Sequence, residues 1–295
     1  MIKIPLVSIS CITFNHAAYL RECLDGFLMQ KTNFDFEVII HDDASTDETK
    51  SIIEEYNQNH PGVFFPMYQT ENQFSKGVRG IMARFNFPRC RGKYIALCEG
   101  DDYWTDPLKL QKQVDFLEEN EEYSICFHKV HILNNGELVK DFITEERYDE
   151  ITNFPISQIS LFNHSNFIHT PSVVFRKSTE EIPLENKYSP VGDYFLYYWL
   201  SQYGYIHRIN QVMAVYRHGN GVYSKLSEIK KHKISEIFGL CILSFVSNKE
   251  IKEKLLVRNI HILQNYQQQN INNYTIKQLV SFTFRKVFRK IKNFI

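Results

Sequence analysis

Composition and charge place this chain among ordinary globular proteins. It has 295 residues, with 34 Lys plus Arg and 34 Asp plus Glu, so its formal net charge is zero. Hydrophobic residues make up 43% and charged residues 23% of the sequence, and no apolar stretch approaches the length of a membrane span. The pattern argues against a membrane-spanning chain and allows one large domain, or one domain with an appendage.

The N-terminal residues and the cysteines indicate the cellular compartment in which the protein is expected. Residues 1–5 lead straight into a strand-like run and lack the features of a secretory signal. Six cysteines, none in a C-x-x-C pair, lie mostly within apolar runs, which is typical of core residues in a reducing compartment. They are Cys11, Cys23, Cys90, Cys98, Cys126 and Cys241. We therefore expect a cytoplasmic protein.

The first half of the sequence alternates predicted strands with predicted helices. Apolar periodicity predicts strands at 7–12, 36–41, 63–65 and 94–98, and helices at 20–28, 45–56 and 106–117. Ser45 and Glu48 have the spacing of a capping box, and Asp106-Pro107 is a typical helix start. This alternation predicts βαβ units and a parallel sheet with both faces covered.

The second half follows a different pattern. A strand is predicted at 123–133, a hairpin turn at Asn135-Gly136, further strands at 137–143 and 171–176, and an aromatic-rich helix at 194–202. From about residue 224 the chain is predicted to be helical and basic. An α/β half is thus joined to a mixed half and a helical extension.

Polar and acidic side chains follow three of the predicted strands. Thr13-Phe14-Asn15 follow the first strand, Asp42-Asp43 the second, and the run 99–102, with Glu99, Asp101 and Asp102, the strand that begins at Tyr94. Ligands of open parallel sheets bind at the carboxyl ends of the strands. Clustered carboxylates suit Mg²⁺ or Mn²⁺ shared with phosphates, so we predict a metal–phosphate site. Taken singly, each acidic pair is equally typical of a turn that caps the next helix.

No glycine-rich phosphate loop is present, neither G-x-G-x-x-G nor G-x-x-x-x-G-K. A diphosphate would therefore be held by a metal and by side chains. The candidate cations are Lys76, Arg79, Arg84 and Arg217. For any one of them, a solvated surface position is the simpler interpretation.

In combination, three of these segments resemble a family 2 glycosyltransferase of the GT-A fold. They are residues 7–15, residues 37–47 and residues 92–104, and the resemblance extends over about residues 5–222. It implies an α/β GT-A domain at 1–222, with a nucleotide-sugar-binding half at 1–120 and an acceptor half at 121–222. Residues 223–295 would then be a basic helical extension.

The resemblance also implies roles at the strand ends. The nucleotide base would contact Ile12-Thr13-Phe14 and Asp43, Asp101 would lie near the ribose and metal, and Asp102 would bind the metal. Many family members have Pro where this chain has Ile12, and Asp where it has Glu99. With the candidate cations, the predicted nucleotide-sugar-binding set is Ile12, Thr13, Phe14, Asn15, Asp43, Arg84, Asp101 and Arg217.

The acceptor half carries the predicted catalytic group. Gly192-Asp193 resembles the family's catalytic-base segment, so Asp193 is the predicted base; the alternative is an N-terminal helix cap. A helix N-terminus would lower the pKa of this carboxylate, so we expect activation to depend mainly on position. In the segment 216–218, which resembles one that closes over the diphosphate, Arg217 is the predicted phosphate ligand and His218 a metal contact. The run 169–172 is a candidate for the acceptor side.

The combined prediction is an inverting, metal-dependent glycosyltransferase with Mn²⁺ or Mg²⁺. Its donor would be a nucleotide-diphosphate sugar, most simply a UDP-sugar, and its acceptor a hydroxyl of a saccharide or lipid-linked molecule in surface polysaccharide assembly. Two alternatives remain: a non-catalytic nucleotide-sugar-binding module, and a sugar-phosphate nucleotidyltransferase. The latter is disfavoured because no Gly-rich, Arg-containing loop follows the first strand.

The C-terminal tail separates from the rest by charge. From Lys225 onward there are 14 Lys plus Arg and 4 Asp plus Glu. Residues 277–295 have no acidic residue, and apolar residues fall at helical spacing between the basic ones. Such a helix either lies on the inner face of the cytoplasmic membrane or packs on its own domain. Nucleic-acid binding is not expected, since no reading motif is recognisable.

Overall fold

The computed structural model describes residues 4–219 and 227–268, with the side chains of 228–232 and 261–268 left out. The strands in these ranges are β1 (Val7–Thr13), β2 (Phe36–Asp42), β3 (Phe64–Tyr68), β4 (Tyr94–Glu99), β5 (Tyr103–Trp104), β6 (Tyr123–Asn134), β7 (Glu137–Val139), β8 (Val174–Arg176) and β9 (Tyr205–Arg217). The helices are α1 (Ala17–Leu28), α2 (Thr49–Asn59), α3 (Lys109–Glu119), α4 (Glu145–Thr152), α5 (Gln158–His164), α6 (Gly192–Leu200), α7 (Glu228–Leu243) and α8 (Lys249–Gln268).

One sheet runs through both halves, in the order β3-β2-β1-β4-β8-β6-β9-β5, with β7 paired to β6. Strands β1 to β4 are parallel to one another, β8 is antiparallel to both β4 and β6, and β6 is parallel to β9. In register, Ile12 lies opposite His41 on one side and Glu99 on the other. The carboxyl ends of β1, β2 and β4 therefore meet at one edge, as the GT-A α/β prediction requires.

Most predicted elements are confirmed, and the exceptions are at their boundaries. The Ser45–Glu48 capping box is wrong: the Ser45 hydroxyl donates to the Asp42 carboxylate, and α2 begins at Thr49. Helix α3 begins at Lys109, because the Asp106 carboxylate accepts the Leu108 N–H in a turn ahead of it. The Ser45 hydroxyl, which the pattern assigned to the helix, is thus bound by a neighbouring carboxylate instead.

The second half has shorter strands than its sequence pattern predicts. The hairpin turn is confirmed, with positive φ at Asn135 and Gly136, but β7 ends at Val139. The run predicted as a strand at 171–176 begins as a short 3₁₀ turn, Thr170–Ser172, and only then becomes β8. Pro171 has no N–H to donate to a ladder, which accounts for the late start of the strand.

The core forms two apolar clusters that together cover both faces of the sheet. One is formed with α1, α2 and α3, and the other with α5, α6 and the C-terminal helices. Phe238 of α7 stacks on Tyr194 of α6 with ring centroids 4.4 Å apart, and Leu255 of α8 is buried in the same cluster. The division at residue 222 stays a prediction, but these helices share a core with the helix that carries Asp193.

The cysteines and the hydropathy of the helices agree with the composition of the chain. All six cysteines are buried and unpaired, as expected for core residues. Within the described ranges, no helix combines the length and the hydropathy needed to cross a bilayer. The basic tail at 277–295 lies outside the described residues.

Candidate active site

A glycine brings the ends of β1 and β4 together. The Gly100 N–H donates to the Ile12 carbonyl at 2.9 Å. A Cβ atom at this position would lie 2.8 Å from Thr13 Oγ1, which is closer than real Cβ atoms come, and 3.0 Å from His16 Nδ1, which is an unusually tight contact. A larger residue would force the Thr13 or His16 side chain to move, so the glycine allows the close approach of these side chains to the start of the acidic run.

The two aspartates after Gly100 are buried and only partly satisfied. Asp101 is 7% exposed and Asp102 1% exposed. Asp102 Oδ1 accepts the backbone N–H of Arg217 at 2.8 Å, whereas Asp101 Oδ1 and Asp102 Oδ2 are buried with no hydrogen-bond partner. Burial, followed by the charges of Asp101 and Glu99, raises the pKa of Asp102 well above its usual value. A cation shared by the two side chains would satisfy both orphaned oxygens.

The donor set fits a divalent cation that is shared with a phosphate. No group of three or more His, Cys, Asp and Glu side chains suited to a metal occurs in the part of the chain that the structure describes. Mg²⁺ is commonly held by one or two carboxylates together with substrate phosphates rather than by a protein cage. Asp101 and Asp102 match that case, and the remaining ligands would come from a diphosphate and water.

A histidine that the sequence analysis did not single out, His16, lies beside these aspartates. His16 Nε2 lies 4.0 Å from Asp101 Oδ2, and His16 Nδ1 is buried without a partner. The His218 ring packs against Phe142, with centroids 4.7 Å apart, and the backbone N–H of His218 donates to the Leu133 carbonyl. A metal contact by His218 stays a prediction. The sequence signal for His16 was its place directly after the polar end of β1.

Arg217 is brought to the acidic run from the far end of β9. Its guanidinium donates to the Asp101 carbonyl and to the Glu22 carboxylate. It also lies over the rings of Tyr19 and Tyr103, at 4.8 Å from each centroid. The side chain is therefore fixed beside the predicted metal ligands, where it offsets their negative charge.

The nucleotide side is built on Asp43. Its N–H donates to the Thr13 carbonyl, and its two carboxylate oxygens accept the N–H groups of Gln73 and Phe74, at 2.8 and 3.0 Å. Asp43 thus anchors the loop after β3 against the end of β1. Phe14 is 41% exposed beside it, and Asn15 has a positive φ of 54°. Contact of these residues with a nucleotide base stays a prediction.

The other candidate cations lie in different environments. Arg84 is exposed, with its guanidinium 5.7 Å from the Phe85 ring centroid. Lys76 is exposed and paired with Glu71. Arg79 lines a cavity that Glu99 and Asp193 also line. Arg79 therefore shares a cavity with the predicted base, a position that its place in the sequence did not indicate.

Asp193 lies in the first turn of α6, at the wall of that cavity. Its Oδ1 accepts the Tyr194 N–H at 2.7 Å, and its Oδ2 accepts the Asn166 side-chain amide at 3.3 Å. The expectation of a lowered pKa is wrong. Desolvation outweighs the hydrogen bonds to Tyr194 and Asn166, and the pKa of Asp193 is raised. A higher pKa makes the ionised carboxylate a stronger base.

Glu99 shares the cavity with Asp193. Burial, followed by the charges of Asp101 and Asp193, raises the pKa of Glu99 to about 8. Near neutral pH the Glu99 side chain therefore tends to keep its proton and can donate a hydrogen bond. Glu99 is thus a carboxyl group that tends to stay protonated, and it lies close to the carboxyl groups of Asp101 and Asp193.

A histidine–aspartate pair that the sequence did not reveal lies near the end of β9. His169 Nε2 lies 2.9 Å from Asp141 Oδ1, while Asp141 also accepts the Ile143 N–H and the Tyr148 hydroxyl. These hydrogen bonds and the charge of His169 overcome desolvation and lower the pKa of Asp141. His169 packs against Tyr216, next to Arg217. The partners are 28 residues apart, so no local spacing could have paired them.

Sequence comparison gives one family match and a set of relatives. The profile of glycosyl transferase family 2 matches residues 8–182, more than half of the chain. An uncharacterized protein of Mycobacterium tuberculosis is 38% identical over 220 residues, which are 74% of this chain and 60% of that protein. A putative teichuronic acid biosynthesis glycosyltransferase of Bacillus subtilis, TuaG, is 31% identical over 115 residues, 39% of this chain and 43% of TuaG. The chain spans about 60% of the length of the mycobacterial relatives it matches.

Structural comparison gives neighbours with the same fold. S. aureus TarS 1–349 in complex with UDP superposes with a TM-score of 0.59 at 17% identity, covering 86% of this chain and 70% of that one. The mannosyltransferase PcManGT from Pyrobaculum calidifontis, in complex with GDP-Man and Mn²⁺, gives 0.56 at 14% identity, covering 82% and 63%. The TM-scores establish likeness of fold alone at these low identities, and the fold is the predicted GT-A type.

Proposed function

Since the chain belongs to glycosyl transferase family 2, we propose that it is a glycosyltransferase that inverts the anomeric centre and depends on Mn²⁺ or Mg²⁺. The donor would be a UDP-sugar, and the acceptor a hydroxyl of a saccharide or a lipid-linked molecule. The observation that carries the proposal is a pair of buried, unpartnered carboxylate oxygens on Asp101 and Asp102. They belong to the same acidic run as Glu99, which lines a cavity together with Asp193.

The donor side is assigned to the edge of the sheet where the carboxyl ends of β1, β2 and β4 meet. Asp101 and Asp102 would hold the cation, with Arg217 keeping Asp101 in place through its carbonyl. When bound, the cation would stabilise the negative charge that develops on the leaving diphosphate. Thr13 and Asp43 would position the nucleotide. TarS in complex with UDP supports the choice of uridine, and PcManGT in complex with GDP-Man and Mn²⁺ supports the divalent cation.

The acceptor side is assigned to α6. Asp193 would take the proton of the acceptor hydroxyl as that oxygen attacks the anomeric carbon from the face opposite the diphosphate. The Tyr194 N–H and the Asn166 amide hold the Asp193 carboxylate in one orientation. Attack from the opposite face inverts the anomeric configuration.

A place in surface polysaccharide assembly is supported by relatives rather than by geometry. TuaG is a putative glycosyltransferase of teichuronic acid biosynthesis. The basic tail, if it binds an anionic membrane, would bring the enzyme to a lipid-linked acceptor. The acceptor itself is determined by surfaces of the second half.

The test of the catalytic assignment is Asp193→Asn. Asn keeps the size of the side chain and can still accept the Tyr194 N–H, but it cannot take a proton. We expect transfer from a UDP-sugar, measured as UDP release with Mn²⁺, to fall by about 10²-fold or more. The affinity for UDP should stay within about twofold, because no donor-side residue is changed.

Asp115→Asn is the matched control, since Asp115 is exposed on α3 and bonds only to Gln111 among the described contacts. Full activity in Asp193→Asn would refute the base assignment. Retention of the anomeric configuration in the product, followed by NMR, would refute inversion whatever the variant shows.

A further inference from the structure

Tyr216 connects the metal side of the predicted site to its base side. It precedes Arg217 in β9, and the Arg217 backbone N–H donates to Asp102 Oδ1 at 2.8 Å. The Tyr216 ring also packs against the His169 ring, with the two centroids 5.1 Å apart. The tyrosine thus follows the backbone to a group that binds a predicted metal ligand, and it contacts a ring from another segment of the chain.

The segment that carries His169 also holds the predicted base. The Asn166 side-chain amide donates to Asp193 Oδ2 at 3.3 Å, and Thr170 lines the cavity that Asp193 lines as well. His169 lies between Asn166 and Thr170 in the sequence. Because Tyr216 packs on His169, its ring is placed beside the segment that orients the Asp193 carboxylate.

The His169 ring is itself anchored by Asp141. His169 Nε2 lies 2.9 Å from Asp141 Oδ1. The Asp141 carboxylate also accepts the Ile143 N–H at 3.1 Å and the Tyr148 hydroxyl at 3.0 Å. The Tyr216 ring therefore packs against a side chain that is fixed by a charged and fully bonded partner, which restricts its own movement.

The hydroxyl of Tyr216 is available as a hydrogen-bond donor. It makes no hydrogen bond to any residue that the structure describes. A tyrosine hydroxyl is protonated at neutral pH, and burial together with nearby carboxylates raises the pKa of Tyr216 further. In decreasing order of effect these carboxylates are Asp102, Glu99, Asp193 and Asp101. They include both predicted metal ligands and the predicted base, so Tyr216 lies within electrostatic reach of both sides of the site.

The proposed reaction defines where negative charge develops between these sides. The diphosphate is assigned to Asp101 and Asp102 and the attacking hydroxyl to Asp193, so the bond that breaks lies between them. As this C–O bond breaks, its electron pair moves onto the oxygen that joined the sugar to the diphosphate. A hydrogen-bond donor at that oxygen stabilises the transition state more than the ground state. This step rests on the function proposed above.

We propose that the Tyr216 hydroxyl donates a hydrogen bond to the oxygen that joins the sugar to the diphosphate, and that Asp141 positions Tyr216 through His169. The acceptor oxygen forms the new bond to the anomeric carbon, and its proton passes to Asp193. The leaving oxygen departs with the electron pair of the broken bond, while Tyr216 keeps its proton. Tyr216 is thus a catalytic residue and Asp141 a positioning residue.

Tyr216→Phe tests the catalytic role, because it removes the hydroxyl and keeps the ring. UDP release by the full chain is measured with Mn²⁺ from UDP-glucose and from UDP-N-acetylglucosamine, with water as the acceptor. We expect kcat to fall by about 10²-fold or more, the effect of one lost donor to a developing oxyanion. The affinity for UDP, measured by calorimetry, should stay within about twofold, because the contact is strongest in the transition state.

Tyr205→Phe is the matched control. Tyr205 begins the same strand, is 44% exposed and has no hydroxyl hydrogen bond among the described residues. The control should change neither kcat nor the affinity for UDP. Thermal unfolding of both variants shows whether they are folded.

Asp141→Asn tests the positioning role. Loss of the carboxylate charge weakens the hold on His169, so we expect kcat to fall by about tenfold with KM for the donor little changed. In the Tyr216→Phe background the same substitution should cause no further loss, because no hydroxyl remains to be positioned. An additional loss of the same size in the double variant would show a merely structural role and overturn the positioning by Asp141.

The outcomes separate this inference from the proposed function. If the wild type releases UDP and Tyr216→Phe releases it equally fast, the inference is overturned and the proposed donor class stands. A loss of UDP affinity as large as the loss of kcat would also overturn it, since the hydroxyl would then bind UDP in the ground state. If the wild type releases no UDP from either compound, the proposed donor is wrong, and the inference that rests on it fails as well.

Discussion

The predicted metal site depends on two carboxylate oxygens, one on Asp101 and one on Asp102. Each aspartate has one buried oxygen without a partner, and each is held by the backbone around Gly100 and Arg217. Three carboxyl side chains within four residues are unfavourable in an apolar setting, because each charge opposes the others and burial opposes them all. The arrangement is consistent with a site that a cation completes.

Asp102→Asn tests the metal assignment at the scale of one residue. The substitution removes a charge and leaves the shape, so we expect Mn²⁺-dependent binding of UDP to weaken by at least about tenfold. Calorimetric titration of UDP with and without Mn²⁺ measures it. Since the buried charge is disfavoured without a cation, the metal-free variant should unfold at the same or a higher temperature than the wild type. Unchanged Mn²⁺-dependent binding would contradict the assignment.

Lys109 is a further buried ionisable group, and the proposed chemistry does not use it. It is fully buried, donates to Gln113 Oε1 at 2.8 Å and lies 4.1 Å from the Trp104 ring centroid. Burial lowers the pKa of Lys109 from 10.5 to about 7. The unfolded chain therefore binds a proton at Lys109 between about pH 7 and 10 that the folded chain does not bind.

Stability should consequently rise with pH across that window. The contribution of Lys109 to the free energy of unfolding increases by up to about 1.4 kcal/mol per pH unit above its folded pKa and levels off near the unfolded one. Urea unfolding of the wild type and Lys109→Met at pH 7, 8 and 9 measures the difference. The variant should lose this part of the slope, whereas Lys50→Met, at an exposed position, should keep it. Equal slopes would contradict the buried-lysine assignment.

Among the elements, α6 connects the site to the C-terminal helices. It carries Asp193 in its first turn, and its residues 195–200 are all buried. Phe238 of α7 stacks on Tyr194 and contacts Tyr198 edge-on, at 4.4 and 5.7 Å between ring centroids. The helix that presents the predicted base is thus held by residues outside the span that the family profile matches.

Phe238→Ala tests this dependence. Removal of a buried ring typically lowers the free energy of unfolding by about 3–5 kcal/mol. We also expect kcat for sugar transfer to fall more than the affinity for UDP, because α6 loses its support while the strand ends are unchanged. Phe154→Ala, at a ring that is 78% exposed, is the control. An unchanged unfolding midpoint would show that α7 does not support α6.

The strands and helices were predictable where one hydrophobic periodicity dominates the segment. Buried strands such as β1 and β4 and the apolar stripes of α1 and α3 follow from periodicity alone. Errors arose where a distant or neighbouring polar group competes, as Asp42 does for Ser45. The pairing of His169 with Asp141 could not be predicted, because it depends on the path of the chain between β7 and β8.

At the scale of the whole molecule, charge is distributed unequally along the chain. The segment from Lys225 onward carries 14 Lys plus Arg and 4 Asp plus Glu, whereas the molecule as a whole is neutral. Removal of residues 277–295 should therefore weaken binding to anionic phospholipid vesicles by at least about tenfold, given about 1 kcal/mol for each basic residue at such a surface.

Co-sedimentation with vesicles of mixed zwitterionic and anionic lipid measures this effect. Binding by the full chain should decrease as salt increases, and purely zwitterionic vesicles are the control. UDP affinity should not change on truncation. Equal vesicle binding by the full and truncated chains would favour the alternative in which the tail packs on its own domain.

The sequence by itself determined the alternation of strands and helices, the acidic run at 99–102 and the family, because local periodicity and short motifs carry that information. Only the tertiary structure decided which side chains meet: His16 beside Asp101, Arg217 bound to Glu22, and Asp193 with Glu99 in one cavity. It also decided that burial, not the helix terminus, controls the pKa of Asp193. Desolvation and contacts between distant residues depend on the packed chain, and no local pattern records them.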